Sequence, residues 1–205
     1  MDFLFTGPAS APLTLALAHG AGVGMDSPFM AAVASGLGER GWRVARFEFP
    51  YMVRRRAEGT KRPPDRQPVL LDTWREVIDE LGAQRLVIGG KSMGGRMASL
   101  VADEAGVAGL VGLGYPFHPP GKPDRTRIEH LQRLATPALI VQGSRDPFGT
   151  REEVASYPLD PAIAFHWAED GNHDLAPRKR SGRTAEDNLS AALDAVDGFL
   201  RGVAG

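Results

Sequence analysis

Leu86-Val87-Ile88-Gly89-Gly90-Lys91-Ser92-Met93-Gly94-Gly95 is a short apolar run that passes without a break into Gly-x-Ser-x-Gly. The run reads as a buried strand. Glycines at 90 and 94 flank a turn where a side chain would collide with neighbouring backbone. A helix is expected directly behind it. Strand, sharp turn through a serine, helix: this is the order of a nucleophile elbow, with the serine strained and its hydroxyl exposed above a sheet. Gly90-Lys91-Ser92 also imitates the end of a phosphate-binding loop. That loop needs a glycine five positions before Gly90, where Arg85 stands, and residues 86–88 are strand-like rather than a glycine-rich cradle. The elbow is the better reading.

Outward from the elbow, the chain alternates strands and helices. Leu13 to Ala18 is an apolar strand running into His19-Gly20-Ala21-Gly22. Ser27 can cap a helix with Pro28 at its first position and Met30, Val33 and Leu37 at helical spacing, closed by Gly41. Val44 to Phe49 reads as a strand stopped by Pro50. Residues 51–68 read as a long polar loop, of a length that is usually functional or disordered. Leu70, Leu71, Trp74, Val77, Ile78 and Leu81 define an amphipathic helix ended by Gly82. Behind the elbow, Met97, Leu100 and Val101 share a helix face. Val107–Leu113, Ala138–Val141 and the alternation Ile163, Phe165, Trp167 supply further strands. Thr184 can cap a last helix with Leu189, Leu193, Val196 and Leu200 on one face. Such alternation implies a mostly parallel sheet covered on both faces. The loops after successive strands then gather on one edge, where open α/β sheets place their sites.

The 205 residues suit one domain, 1–205, and their formal net charge of −1 gives no global basic field for nucleic acid. The absence of cysteine removes disulfides, thiolate metal sites and a cysteine nucleophile. Met1-Asp2-Phe3-Leu4-Phe5 lacks the basic region and sustained apolar stretch of a secretory signal, and no run is long enough to span a bilayer. A soluble cytoplasmic protein, monomeric or homodimeric, is the expectation.

A serine nucleophile needs a base, and the base needs a partner that fixes its tautomer. On this architecture the order is serine, acid, histidine, each in a loop at the carboxyl edge. Ser92, Asp146 and His173 satisfy it, each after a strand. Asp146 also reads as a turn residue before Pro147, and Asp170 and Asp174 are poorer acids because they sit beside the histidine in sequence. Among the other histidines, His166 reads as a core or edge residue and His130 as a solvated surface position. His118 follows a strand at the correct edge but precedes Asp146, which breaks the order. It stands as a candidate substrate-binding residue. The backbone N–H groups of Ala21 and Met93 are the expected oxyanion donors, the latter at a helix N-terminus. Lys91 reads as a solvated or paired amine.

Taken together, His19-Gly20-Ala21-Gly22, Phe49-Pro50-Tyr51, Gly90 to Gly95, Tyr115 to Pro123, Gln142 to Thr150 and Pro177 to Thr184 resemble a branch of small α/β hydrolases. The branch is similar to dienelactone hydrolases, and its eukaryotic relatives include testis-expressed and non-specific-lethal-complex proteins with a hydrolase-like domain. The resemblance covers nearly the whole chain. It implies an α/β-hydrolase fold and carries nucleophile, acid and base onto Ser92, Asp146 and His173. Against larger hydrolases the leading hairpin is reduced to Phe3–Thr6, and no helical cap is inserted between Leu113 and Ala138. The pocket is then shallow, with the 51–68 loop as the best available lid.

The expected activity is a serine hydrolase cleaving an ester or related acyl bond, with no metal or organic cofactor. A thioesterase or peptidase would use the same machinery, and a non-catalytic scaffold domain would keep the same fold. The expected partner is a small acyl substrate, not a membrane or a nucleic acid. Arg54, Arg55, Arg56, Arg62 and Arg66, with Arg178, Lys179, Arg180 and Arg183, could form a positive rim; Arg54 and Arg56 are candidate contacts to an anionic substrate. The plainer reading is that these side chains are solvated or bound to the protein's own carboxylates.

Overall fold

Strands apolar on both faces require cover on both, and the chain supplies it. The computed structural model describes residues 1–205. Its elements are β1 (Leu4–Thr6), β2 (Thr14–Ala18), α1 (Pro28–Glu39), β3 (Arg43–Phe47), α2 (Pro50–Glu58), α3 (Gln67–Leu81), β4 (Leu86–Lys91), α4 (Met93–Ser99), α5 (Ala102–Ala105), β5 (Gly109–Leu113), β6 (Ala138–Gly143), α6 (Arg151–Ala155), β7 (Ile163–Ala168) and α7 (Ala185–Ala204). The strands form one sheet in the order β1-β3-β2-β4-β5-β6-β7. β2 through β7 are parallel to their neighbours. β1 alone runs antiparallel, against β3, with Leu4 opposite Arg46.

Side chains alternate across the sheet and sort into two cores. Ala16, Ala18, Leu86, Ile88 and Ile140 pack with Leu70, Trp74, Val77 and Met97 of α3 and α4. Leu15, Leu17, Val87, Leu139 and Val141 pack with Met30, Val33 and Leu37 of α1 and Leu193, Val196 and Leu200 of α7. The order reverses at β2: α1 carries the chain outward to β3, and α2 with α3 brings it back across β2 to β4. The carboxyl ends of β2 and β4 therefore open onto the switch point where such sheets bind ligands. Between β5 and β6 the only helical piece is a single 3₁₀ segment, Glu129–Arg133, so no cap covers that edge. No helix is long and apolar enough to cross a membrane.

One expectation is corrected. Residues 51–68 are not one long loop, because Pro50–Glu58 forms α2. Pro50 begins that helix instead of merely stopping β3: its fixed φ and missing N–H suit the first helical position. The turn is closed by Gly59 at φ 66°. Only Tyr51 and Met52 of α2 are buried, too few to print an apolar period on the sequence.

Candidate active site

Ser92 joins β4 to α4 at φ 52° and ψ −117°, a conformation that costs a non-glycine residue on the order of 1–3 kcal/mol. The surrounding glycines are dictated by close approach. A Cβ at Gly90 would lie 2.2 Å from the Ala18 carbonyl oxygen, and one at Gly94 would lie 2.5 Å from it. The serine N–H donates to the Leu113 carbonyl at 3.0 Å, which fixes the turn to β5.

Three loop ends meet there. Ser92 Oγ is 2.9 Å from His173 Nε2, and His173 Nδ1 is 2.8 Å from Asp146 Oδ2. An ionised carboxylate only accepts, so Nδ1 carries the proton and the Nε2 lone pair faces the serine hydroxyl. Asp146 is fully buried. Its Oδ2 also accepts from Gln142 Nε2 at 3.0 Å, and its Oδ1 accepts from the Phe148 N–H at 2.9 Å. The Phe148 ring lies 4.3 Å from the imidazole and fixes its plane.

The glycine loop after β2 is held from below. His19 is fully buried, and burial pushes its imidazole below the ordinary histidine range, so it is neutral. Its Nδ1 donates to the Gly20 carbonyl at 2.7 Å while Nε2 accepts from the Phe49 N–H at 3.2 Å. Tyr51, on α2, donates to the carbonyls of Gly20 (3.2 Å) and Ala21 (3.1 Å). Tying down these carbonyls sets the peptide planes of the loop and leaves the Ala21 N–H free of any backbone acceptor. The Met93 N–H begins α4, where the first amides have no acceptor within the helix.

Gly20, Ala21, Gly22, Val23, Ser27, Phe29, Met30, Lys91, Ser92, Phe148, His173 and Asp174 enclose a pocket of about 270 Å³. Val23, Phe29, Met30 and Phe148 make one wall apolar. A second, open cleft of about 610 Å³ adjoins it, sharing Gly22, Val23 and Ser27 and reaching Arg55, Arg56 and Lys61. No three His, Asp or Glu side chains converge to hold a metal ion.

Ser92, Asp146, His173, Ala21 and Met93 thus stand together, whereas His118 and Arg54 line neither the pocket nor the cleft, and Arg56 lines only the adjoining cleft. His118 is buried, its ring nitrogens facing the Pro119 carbonyl and Glu153 Oε2. Arg54 is drawn to Asp65, and Arg56 to Glu48 and Asp26, because a carboxylate of the protein lies within reach of each. Arg62 and Arg178 are likewise held by Glu58 and Asp170. Four of the nine rim cations are therefore neutralised by carboxylates of the protein itself. His130 is also corrected: it is half-buried, with Nε2 at 2.8 Å from Ser99 Oγ and 3.2 Å from Tyr115 Oη. Burial and the neighbouring Arg96 push it down to about 4. Gln142 and Tyr51 were legible only as members of a motif. Nothing local marks a glutamine inside a strand end as the partner of an aspartate four residues on.

A family model described as alpha/beta hydrolase domain matches residues 11–201. The structure is similar to that of an alpha-beta serine hydrolase homologue from Coxiella burnetii, at 19% identity over 98% of this chain and 90% of that one, with a TM-score of 0.67. An a/b serine hydrolase without lid from Xanthomonas campestris matches at 21% identity over 95% and 86%, TM-score 0.70. The esterase domain of a Rhodothermus marinus protein matches at 15% identity over 98% and 92%, TM-score 0.69. At such identities these likenesses concern the fold.

Proposed function

We propose that this chain, which belongs to the alpha/beta hydrolase domain family, is a serine hydrolase that cleaves an ester or related acyl bond through an acyl-enzyme. Its fold is the α/β-hydrolase fold without a lid. The observation that carries the reading is the unbroken relay from Ser92 Oγ to His173 Nε2 (2.9 Å) and from His173 Nδ1 to Asp146 Oδ2 (2.8 Å). In the proposed cycle the Ser92 oxygen attacks the acyl carbon as its proton passes to Nε2. The Ala21 and Met93 amides stabilise the oxyanion, and the imidazolium returns the proton to the leaving alkoxide. Water, deprotonated by the same Nε2, then releases the acid and restores the serine. Asp146 stays ionised throughout and offsets the imidazolium charge.

The substrate belongs to the same proposal. The pocket is sized for one small apolar acyl or alcohol group against Phe29 and Phe148, and the other half of the molecule would extend into the open cleft. An anionic group there would meet Arg55, anchored by Nη1 to the Gly22 carbonyl at 2.8 Å and free of any carboxylate, and Lys61. Residues 1–205 acting as one catalytic domain in a soluble, cytoplasmic setting, and kinship with the testis-expressed and non-specific-lethal-complex branch, complete it.

The test is labelling of intact protein by a fluorophosphonate, with the modified residue mapped by mass spectrometry. Modification of Ser92, abolished in Ser92→Ala, is the expected result. A folded protein that takes no probe and hydrolyses no short p-nitrophenyl ester would instead be a binding domain that kept the fold.

A further inference from the structure

Lys91 occupies the variable position immediately before the nucleophile, yet it is buried. Its Nζ donates to the backbone carbonyl of His173 at 2.8 Å and pairs with Asp174 Oδ1 at 3.2 Å. The Phe29 ring closes over the ammonium at 5.6 Å. One buried amine thus ties the strand that carries Ser92 to the residue that accepts its proton. The site is shaped around this arrangement: a Cβ at Gly114, whose φ is 64°, would lie 2.7 Å from the His173 carbonyl oxygen and 3.2 Å from Lys91 Nζ.

The histidine loop needs such a tie. Asp170 (φ 54°) and Leu175 (φ 64°) are non-glycine residues in left-handed conformations, each costing on the order of 1 kcal/mol or more. The loop keeps its shape only where neighbours hold it. Asn188 Nδ2 donates to the carbonyls of Glu169 and Leu175, and Arg145 and Arg178 grip Asp170. None of these acts on residue 173 itself. The Lys91 bond does.

We propose that Lys91 and Asp174 form a positioning pair for the hydrolytic reaction: the ammonium holds the His173 backbone at bonding distance from Ser92, and Asp174 balances its charge beside the imidazole. This deepens the serine hydrolase reading and rests on it. Lys91 is not a base in the scheme, since its hydrogens are directed at the His173 carbonyl and Asp174. The charged groups facing His173 are Asp146 from the loop after β6, Lys91 from β4, and Asp174 on its own loop; Phe148 and the α1 residue Phe29 supply only rings.

Two functions are then separable. Removing the amine frees the loop and leaves Asp174 uncompensated, which favours the imidazolium. Removing the carboxylate leaves the amine uncompensated, which disfavours it. The experiment compares Lys91→Met, Asp174→Asn and the double variant on a p-nitrophenyl ester, recording kcat, KM and the pH midpoint of kcat/KM. Lys91→Met should lower kcat about three- to tenfold with little change in KM, because misplacing a catalytic group by a fraction of an ångström costs rate and not affinity. Its pH midpoint should rise by about half a unit, while that of Asp174→Asn should fall by about as much. The double variant should recover the wild-type midpoint and keep the kcat deficit. Asp174 is largely exposed at its side chain, so Asp174→Asn reports even if Lys91→Met folds poorly. Midpoints that coincide, or that move the same way in both single variants, overturn the proposal, as does an unchanged kcat in Lys91→Met. A wild-type protein with no esterase activity and an unlabelled Ser92 would defeat the functional reading first.

Discussion

The Ser92 hydroxyl reaches a base because the turn at φ 52° lifts it out of the sheet, and it reaches the correct base because His173 and no other imidazole is within bonding distance. Ser92→Ala should therefore lower esterase kcat by about 10⁴-fold or more while leaving thermal stability nearly intact, since only one hydroxyl is removed. His173→Ala should cost a comparable factor. His118→Ala should leave the rate within about tenfold and instead lower the melting temperature, because it removes a buried ring and its contact to Glu153. Steady-state rates with parallel thermal melts check all three, and a larger rate loss from His118→Ala would move the base there. That Ser92, Asp146 and His173 would meet was readable along the chain, because each follows a strand that ends on the same edge of the sheet. The props were not: whether Gln142 meets Asp146, or His130 meets Ser99, depends on contacts that no spacing encodes.

Among the elements, the strands were legible because uninterrupted Val, Leu and Ile runs have few other uses, and α1, α3 and α7 because their apolar faces recur at helical spacing. α2 escaped notice. It is arginine-rich, exposed along most of its length, and buried only at Tyr51 and Met52. Those two residues nevertheless give it a function, since the Tyr51 hydroxyl holds the Gly20 and Ala21 carbonyls. Tyr51→Phe should lower stability by only about 1 kcal/mol, the net worth of a typical hydrogen bond. Freeing the loop that presents the Ala21 N–H should lower kcat roughly tenfold, short of the loss from removing an oxyanion donor outright. Equal kcat in the variant, measured where the protein is fully folded, would show that the glycine loop holds itself.

Across the whole molecule, pH and salt report on different parts. Folding depresses His130 from 6.5 to about 4, so the unfolded chain binds a proton there that the folded chain refuses. Its stabilising effect is fully present above about pH 6.5 and is lost as the pH falls toward about 4. His19 and His166 are lowered by burial in the same direction. His130→Gln should thus flatten, though not abolish, the fall in melting temperature across that window, and an unchanged slope would contradict the burial argument. Salt tests the cleft. With Arg56 paired to Glu48 and Asp26, the cations lining the cleft without a carboxylate partner are Arg55 and Lys61. Esters carrying a carboxylate or phosphate should then exceed matched neutral esters several-fold in kcat/KM at about 10 mM salt. The advantage should fade near 500 mM, where screening lengths fall to about 4 Å. Equal values at both salts would leave these cations as surface residues. Residues 59–66, between α2 and α3, bridge two helices anchored independently, one by Tyr51 and the other by Trp74. Doubling the length of such a connection costs only about 0.6 kcal/mol in closure entropy. Insertions there would remodel the wall that carries Lys61 while leaving Ala21, Met93 and the Ser92–His173–Asp146 contacts in place, so cleft shape and pocket geometry reside in separate stretches of chain.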